Sequence, residues 1–190
     1  MMTPTEASMM KTVISQMIRE HRMMNKFSNR EVNESCMREL LQQTSLEADE
    51  QLHENWRFLI FSGNKKEIFS KELIQTAYTR KAKEKYPETL SHYYMKIPMH
   101  VLVIAKNSRT PAAENRKFNQ VTSFIQALQR NAWKEKLGIV WKTNEYHWSK
   151  NAEDVFELKS GEEIKGTLHV GYLQDDDYFV QTGVKLESIS

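Results

Sequence analysis

Met10, Val13, Ile14, Met17 and Ile18 follow the i, i+3, i+4, i+7, i+8 spacing of one helical face and predict an amphipathic helix from about Thr5 to Arg22. Phe27-Ser28-Asn29-Arg30 breaks that period. Asn33 then stands where it can cap a second helix, in which Met37, Leu40 and Leu41 share a face up to about Thr44. After the polar stretch Ser45 to Glu54, the aromatic and branched run from Trp56 to Phe61 predicts a strand, closed by a turn at Ser62-Gly63-Asn64. A further helix is expected from about Lys65 to Lys85. Tyr93, Tyr94 and Met95 lead to Pro98 through Ala105, whose unbroken apolar character predicts a central strand covered on both faces.

Phe118, Val121, Ile125, Leu128 and Ala132 recur at helical spacing and predict a long packing helix from about Ala112 to Lys136, with Gly138 as its C-terminal cap. Ile139-Val140-Trp141 reads as a short strand and Asn151 to Leu158 as a short helix. From Ile164 to Tyr172 a strand is expected in which His169 alternates with Leu168 and Val170, a pattern that favours one buried face. Tyr178-Phe179-Val180 is a last candidate strand, within a tail from about residue 174. Helices and strands mix without regular βαβ alternation, so the expected class is α+β. No repeat or low-complexity linker divides the chain, and residues 1–190 are expected to form a single domain.

Composition narrows the function. With 27 basic and 25 acidic residues the net charge is +2, which provides no global field to attract nucleic acid or a membrane surface. No apolar run reaches the ~18 residues of a membrane span. The start of the chain does not read as a signal peptide, and the single cysteine, Cys36, excludes an internal disulfide framework, so a cytoplasmic location is expected. The six histidines lack the spacing of a metal site, and neither a Gly-x-Gly-x-x-Gly stretch nor a phosphate-binding Walker loop is present. The basic cluster Arg80 to Lys85 reads first as a solvated helix end, with phosphate attraction as the alternative.

Two stretches carry candidate chemistry. The early one, His21-Arg22-Met23-Met24-Asn25-Lys26-Phe27, follows the first helix; the late one, Gly138-Ile139-Val140-Trp141-Lys142-Thr143, follows the long helix. Arg22 offers a permanently charged planar fork suited to phosphate oxygens, Lys142 a second cation, and Thr143 a hydroxyl. Their order, and the elements between them, resemble the FMN-dependent nitroreductase family from the first helix to about Tyr172. The resemblance implies a central, mostly antiparallel sheet flanked by helices. It also implies FMN held by His21, Arg22, Met23, Asn25, Glu54, Trp141, Lys142 and Thr143.

In the family, Arg-Arg-Ser and a further basic residue occupy the early positions, and a Gln-Pro-Trp loop enters the first strand. Here Met23 replaces the serine, Asn25 the second basic residue, and Glu54 and Asn55 the glutamine and proline before Trp56. The resemblance implies an NAD(P)H oxidoreductase that passes hydride through FMN, by a ping-pong cycle, to a nitroaromatic, quinone or related small-molecule acceptor. No side chain is expected to be catalytic, because the flavin carries the redox step. It further implies a homodimer with flavin at the subunit interface, to which the tail from about residue 174 contributes. The replacements at Met23, Glu54 and Asn55 motivate an alternative: a protein of this fold that has lost catalysis and binds flavin or another ligand.

Overall fold

The computed structural model describes residues 26–47, 56–77, 87–108, 110–142 and 150–174. Helix α1 (Glu34–Glu47) starts where the Asn33 side chain accepts hydrogen bonds from the amide and hydroxyl of Ser35, each at 2.8 Å, as its capping role requires. Strand β1 (Trp56–Ser62) and helix α2 (Lys65–Ala77) follow, then helix α3 (Pro87–Lys96) and strand β2 (Met99–Lys106). Helix α4 (Pro111–Lys134), strand β3 (Leu137–Lys142), the short helix α5 (Lys150–Val155) and strand β4 (Glu162–Tyr172) complete the described elements. The expected first helix, the basic cluster Arg80 to Lys85 and the candidate strand Tyr178 to Val180 lie outside the described residues.

The four strands form one antiparallel sheet in the order β1-β2-β4-β3, flanked by helices. The α+β class expected from the sequence is borne out. Period-two alternation sends Met99, Val101 and Val103 to one face of β2, where α1 and α4 supply Met37, Leu40, Val121, Ile125 and Leu128. Leu102 and Ile104 face the opposite side and meet Phe69 and Leu73 of α2, Tyr94 of α3 and Phe156. Helices therefore cover both faces, and the unbroken apolar run of β2 is the consequence.

Helix α4 is set by its ends as well as its stripe. Thr110 accepts a hydrogen bond from the Ala113 amide at 3.3 Å, Pro111 follows at the first turn, and about 36 Å of helix crosses the sheet. Phe118, expected in the buried stripe, is instead half-exposed against Trp141, while Phe124 is buried and stacks on Phe58 at 5.5 Å. Gly138 is not the cap. The helix ends at Glu135, Lys136 takes the left-handed conformation with φ of 59°, and Gly138 lies inside β3.

Two further expectations change. The pattern at Tyr93-Tyr94-Met95 does not predict helix α3; its last turn is completed by the Lys66 ammonium, which donates to the carbonyls of Met95 at 2.9 Å and Ile97 at 3.2 Å from a different helix. Strand β4 was expected to bury one face, but it is an inner strand and both faces are buried from Gly166 to Gly171, which sends Thr167 and His169 into the interior. A bulge opposite Val103 and Ile104 leaves Lys165 outside the β2 register, and its ammonium pairs with Glu114 in the first turn of α4 and with Glu163.

Candidate flavin site

Of the eight residues assigned to the cofactor by sequence, His21, Arg22, Met23, Asn25, Glu54 and Thr143 lie outside the described residues. Trp141 and Lys142 are described, and β3 separates them. Trp141 points towards α4, its ring 6.0 Å from Phe118. The indole lies on Gly166, where a Cβ would come within 2.5 Å of Nε1; only glycine admits the ring so close. That Nε1–H is buried with no hydrogen-bond acceptor among the described residues. Lys142 takes the opposite face, pairs in register with Thr167 and is 7% exposed.

A row of polar side chains shares that opposite face. Thr167 and His169 are successive inward positions on β4, and His169 lies in register with His100 of β2. The two imidazoles approach Nδ1 to Nδ1 at 2.8 Å, which requires a proton between them, while His100 Nε2 lies 3.0 Å from the Tyr94 carbonyl oxygen. A carbonyl can only accept, so His100 carries its proton on Nε2. His100 Nδ1 then accepts from His169 Nδ1–H, and His169 Nε2 is left as an acceptor. That atom and Thr167 Oγ1 are buried without partners among the described residues.

Burial keeps both rings neutral. It lowers the His100 pKa to about 3, with the Lys66 charge adding in the same direction and the hydrogen bond to Tyr94 opposing it. His169 is pushed well below its ordinary value by burial first, then by His100 and Lys142. Phe69 stacks on His100 at 4.3 Å and sets an apolar wall on the pair. The sequence showed six histidines without recognisable spacing; only strand register brings these two together.

The early and late stretches meet through Phe27. Its neighbours are tied to the end of β4: the Ser28 amide donates to the Tyr172 carbonyl at 2.7 Å, and the Gln174 amide donates to the Lys26 carbonyl at 3.2 Å. Phe27 itself pairs with Leu173. The ring rests on two glycines. A Cβ on Gly171 would stand 2.5 Å from Phe27 Cγ, and one on Gly138 would stand 2.9 Å from both Phe27 Cε1 and Leu173 Cδ2. The last residue of the early stretch is thus seated on the first glycine of the late one.

The chain is similar to a Bacillus subtilis (strain 168) protein, YfhC, provisionally named an NAD(P)H nitroreductase: 26% identical over 177 residues, 90% of each chain. A nitroreductase-like family protein from Bacillus cereus superposes with a TM-score of 0.70 over 85% of this chain and 86% of its own, at 22% identity. The chain has the nitroreductase fold. The same fold joins it to the FMN-dependent nitroreductase NfnB from Mycobacterium smegmatis, solved in complex with NADPH, at a TM-score of 0.59 and 12% identity over 85% of this chain and 91% of that one. No family model matches the sequence. Phe27 closes on Gly138 and Gly171, and Trp141 on Gly166; of these glycines the sequence singles out Gly138, as a helix cap.

Proposed function

We propose that the chain is an FMN-dependent NAD(P)H oxidoreductase of the nitroreductase type. The observation that carries the reading is the seating of Phe27 on Gly138 and Gly171, because it sets Lys26, Phe27 and Ser28 at the start of the strand that ends in Lys142. The names of YfhC and NfnB point the same way. The described residues fit the charged end of the cofactor: Lys142 is a buried cation at the end of β3, and the neighbouring Thr167 hydroxyl has no partner among the described residues. A cation beside a hydroxyl is the donor set that a phosphate ester and a polyhydroxyl chain accept.

Lys142 and Arg22 hold the phosphate in this reading, and His21, Asn25 and Thr143 add polar contacts. Trp141 lies on the other face, against Gly166 and Phe118. The redox chemistry is the flavin's: hydride taken from NADH or NADPH passes to a nitroaromatic, quinone or related acceptor in two alternating half-reactions. The protein supplies binding, orientation and electrostatics, so no side-chain nucleophile is required. A homodimer working in the cytoplasm, each subunit one domain, completes the proposal.

Purified protein is to be titrated with FMN and then treated anaerobically with NADH and NADPH. Flavin absorbance that co-purifies or is gained, and that either nicotinamide bleaches, is the expected result. Failure to take up FMN overturns the proposal, while flavin that is bound but bleached by neither nicotinamide leaves the non-catalytic alternative.

A further inference from the structure

We infer that one water molecule is bound inside the protein between His169 Nε2 and Thr167 Oγ1, on the face of the sheet that α2 and α3 cover. The two residues are successive inward positions of β4, so their Cα atoms stand about 6.8 Å apart. Both side chains are fully buried. Neither atom has a hydrogen-bond partner among the described residues, so the two do not bond each other. A water bonded to both joins polar atoms roughly 4.5–5.5 Å apart, the span of two hydrogen bonds that meet at one oxygen. Buried polar groups that lack a protein partner are ordinarily satisfied in this way.

The chemistry of the two atoms selects the occupant. The Tyr94 carbonyl can only accept, which orders the protons through His100 to His169 and leaves Nε2 an acceptor. Its partner must be a donor. An ionised phosphate or carboxylate has no proton to give there. A cation would face the charge of Lys142, which already helps to lower the His169 pKa, and no group of three metal-ligating side chains forms among the described residues. An apolar occupant would leave both atoms unpaired. Water is neutral and carries two protons, one for Nε2 and one for Oγ1.

The direction of those bonds has a consequence at Lys142, which lies in register with Thr167. With the water donating to Oγ1, the Thr167 hydroxyl keeps its own proton for an acceptor on the Lys142 side. The row then runs without a break from the Tyr94 carbonyl through His100, His169 and the water to a hydroxyl that donates. The water therefore does not compete with the phosphate contact of the proposed function.

The test is a crystal structure of the full-length protein as purified, at a resolution that places single waters, beside Thr167→Ser and Thr167→Val. One water is expected about 2.7–3.2 Å from both His169 Nε2 and Thr167 Oγ1. Thr167→Ser should keep it, and Thr167→Val, of nearly equal volume but without the hydroxyl, should lose it. In solution, the ring nitrogens of 15N-labelled histidine should show His169 protonated on Nδ1 in the unmodified protein, with the Nε2 resonance moving towards that of an unbonded nitrogen in Thr167→Val. Should Thr167→Val fail to fold, the unmodified protein and Thr167→Ser decide the matter alone.

A direct bond between Thr167 Oγ1 and His169 Nε2, dry space between them, or an ion, a flavin phosphate oxygen or a larger molecule in that place would overturn the assignment. So would a water that Thr167→Val holds unchanged. Failure of the chain to take up FMN would overturn the proposed function and leave this water site standing.

Discussion

The buried histidine pair makes stability depend on pH in a window where few other groups titrate. When unfolded, His100 binds a proton with a pKa near 6.5; folded, it does so only at about pH 3. Above the unfolded value neither state is protonated there, and the stabilising difference is fully present. As pH falls below 6.5 the unfolded chain takes up a proton that the folded chain refuses, and stability drops by about 1.4 kcal/mol per pH unit until the folded pKa is reached. Between pH 7 and pH 5 His100 alone therefore costs about 2 kcal/mol of stability, against a total of roughly 5–15 kcal/mol for a domain. His169 acts in the same direction, since burial, His100 and Lys142 all hold its pKa down. Glu34, Glu114 and Glu162, lowered by Arg38, Lys165 and Arg57 respectively, lose their contributions only at more acid pH. Urea denaturation at pH 7 and pH 5 measures the loss, and His100→Leu/His169→Leu, which removes both polar partners together, should abolish most of it. An equal loss in the wild type and the double variant would refute the neutral state of the buried pair.

Three smaller perturbations follow from local geometry. Thr110→Ala removes the oxygen that accepts the Ala113 amide and should cost about 1 kcal/mol in chemical denaturation. Glu157 is exposed and left-handed, with φ of 49°, while its carbonyl accepts from Arg57; Glu157→Gly relieves the conformation without touching that bond and should gain about 1 kcal/mol, read as a raised Tm. Lys142→Ala should weaken FMN binding by about tenfold, whereas Lys71→Ala, on an exposed helical pair, should leave it unchanged.

What could be read from sequence is what local pattern dictates. The Asn33 cap, the covered strand β2, the long helix α4 and the α+β class all depend on periodicity or on residues a few positions apart, and the structure keeps them. Helix α3 was not legible because its end is completed by Lys66, some thirty residues earlier. Gly138 misled for a similar reason: a glycine after a helix suggests a cap, but here its missing side chain is required by Phe27, more than a hundred residues away. His169 alternated as a half-buried strand residue would, and only the inner place of β4 in the sheet revealed that its face is interior. At the candidate site, charge and residue type single out Lys142 as a phosphate partner but say nothing of its burial, and strand alternation puts Trp141 on the other face. Sequence proximity could not show that Phe27 joins the two stretches.

The proposed function requires the protein to bind FMN and to cycle it between its oxidised and reduced forms. Anaerobic titration of the FMN-loaded protein with NADH and with NADPH, followed in the visible spectrum, tests it most directly. Loss of flavin absorbance with one or both nicotinamides, restored on addition of a quinone or nitroaromatic acceptor, is the predicted result. Protein that gains no flavin absorbance on incubation with FMN would contradict the account.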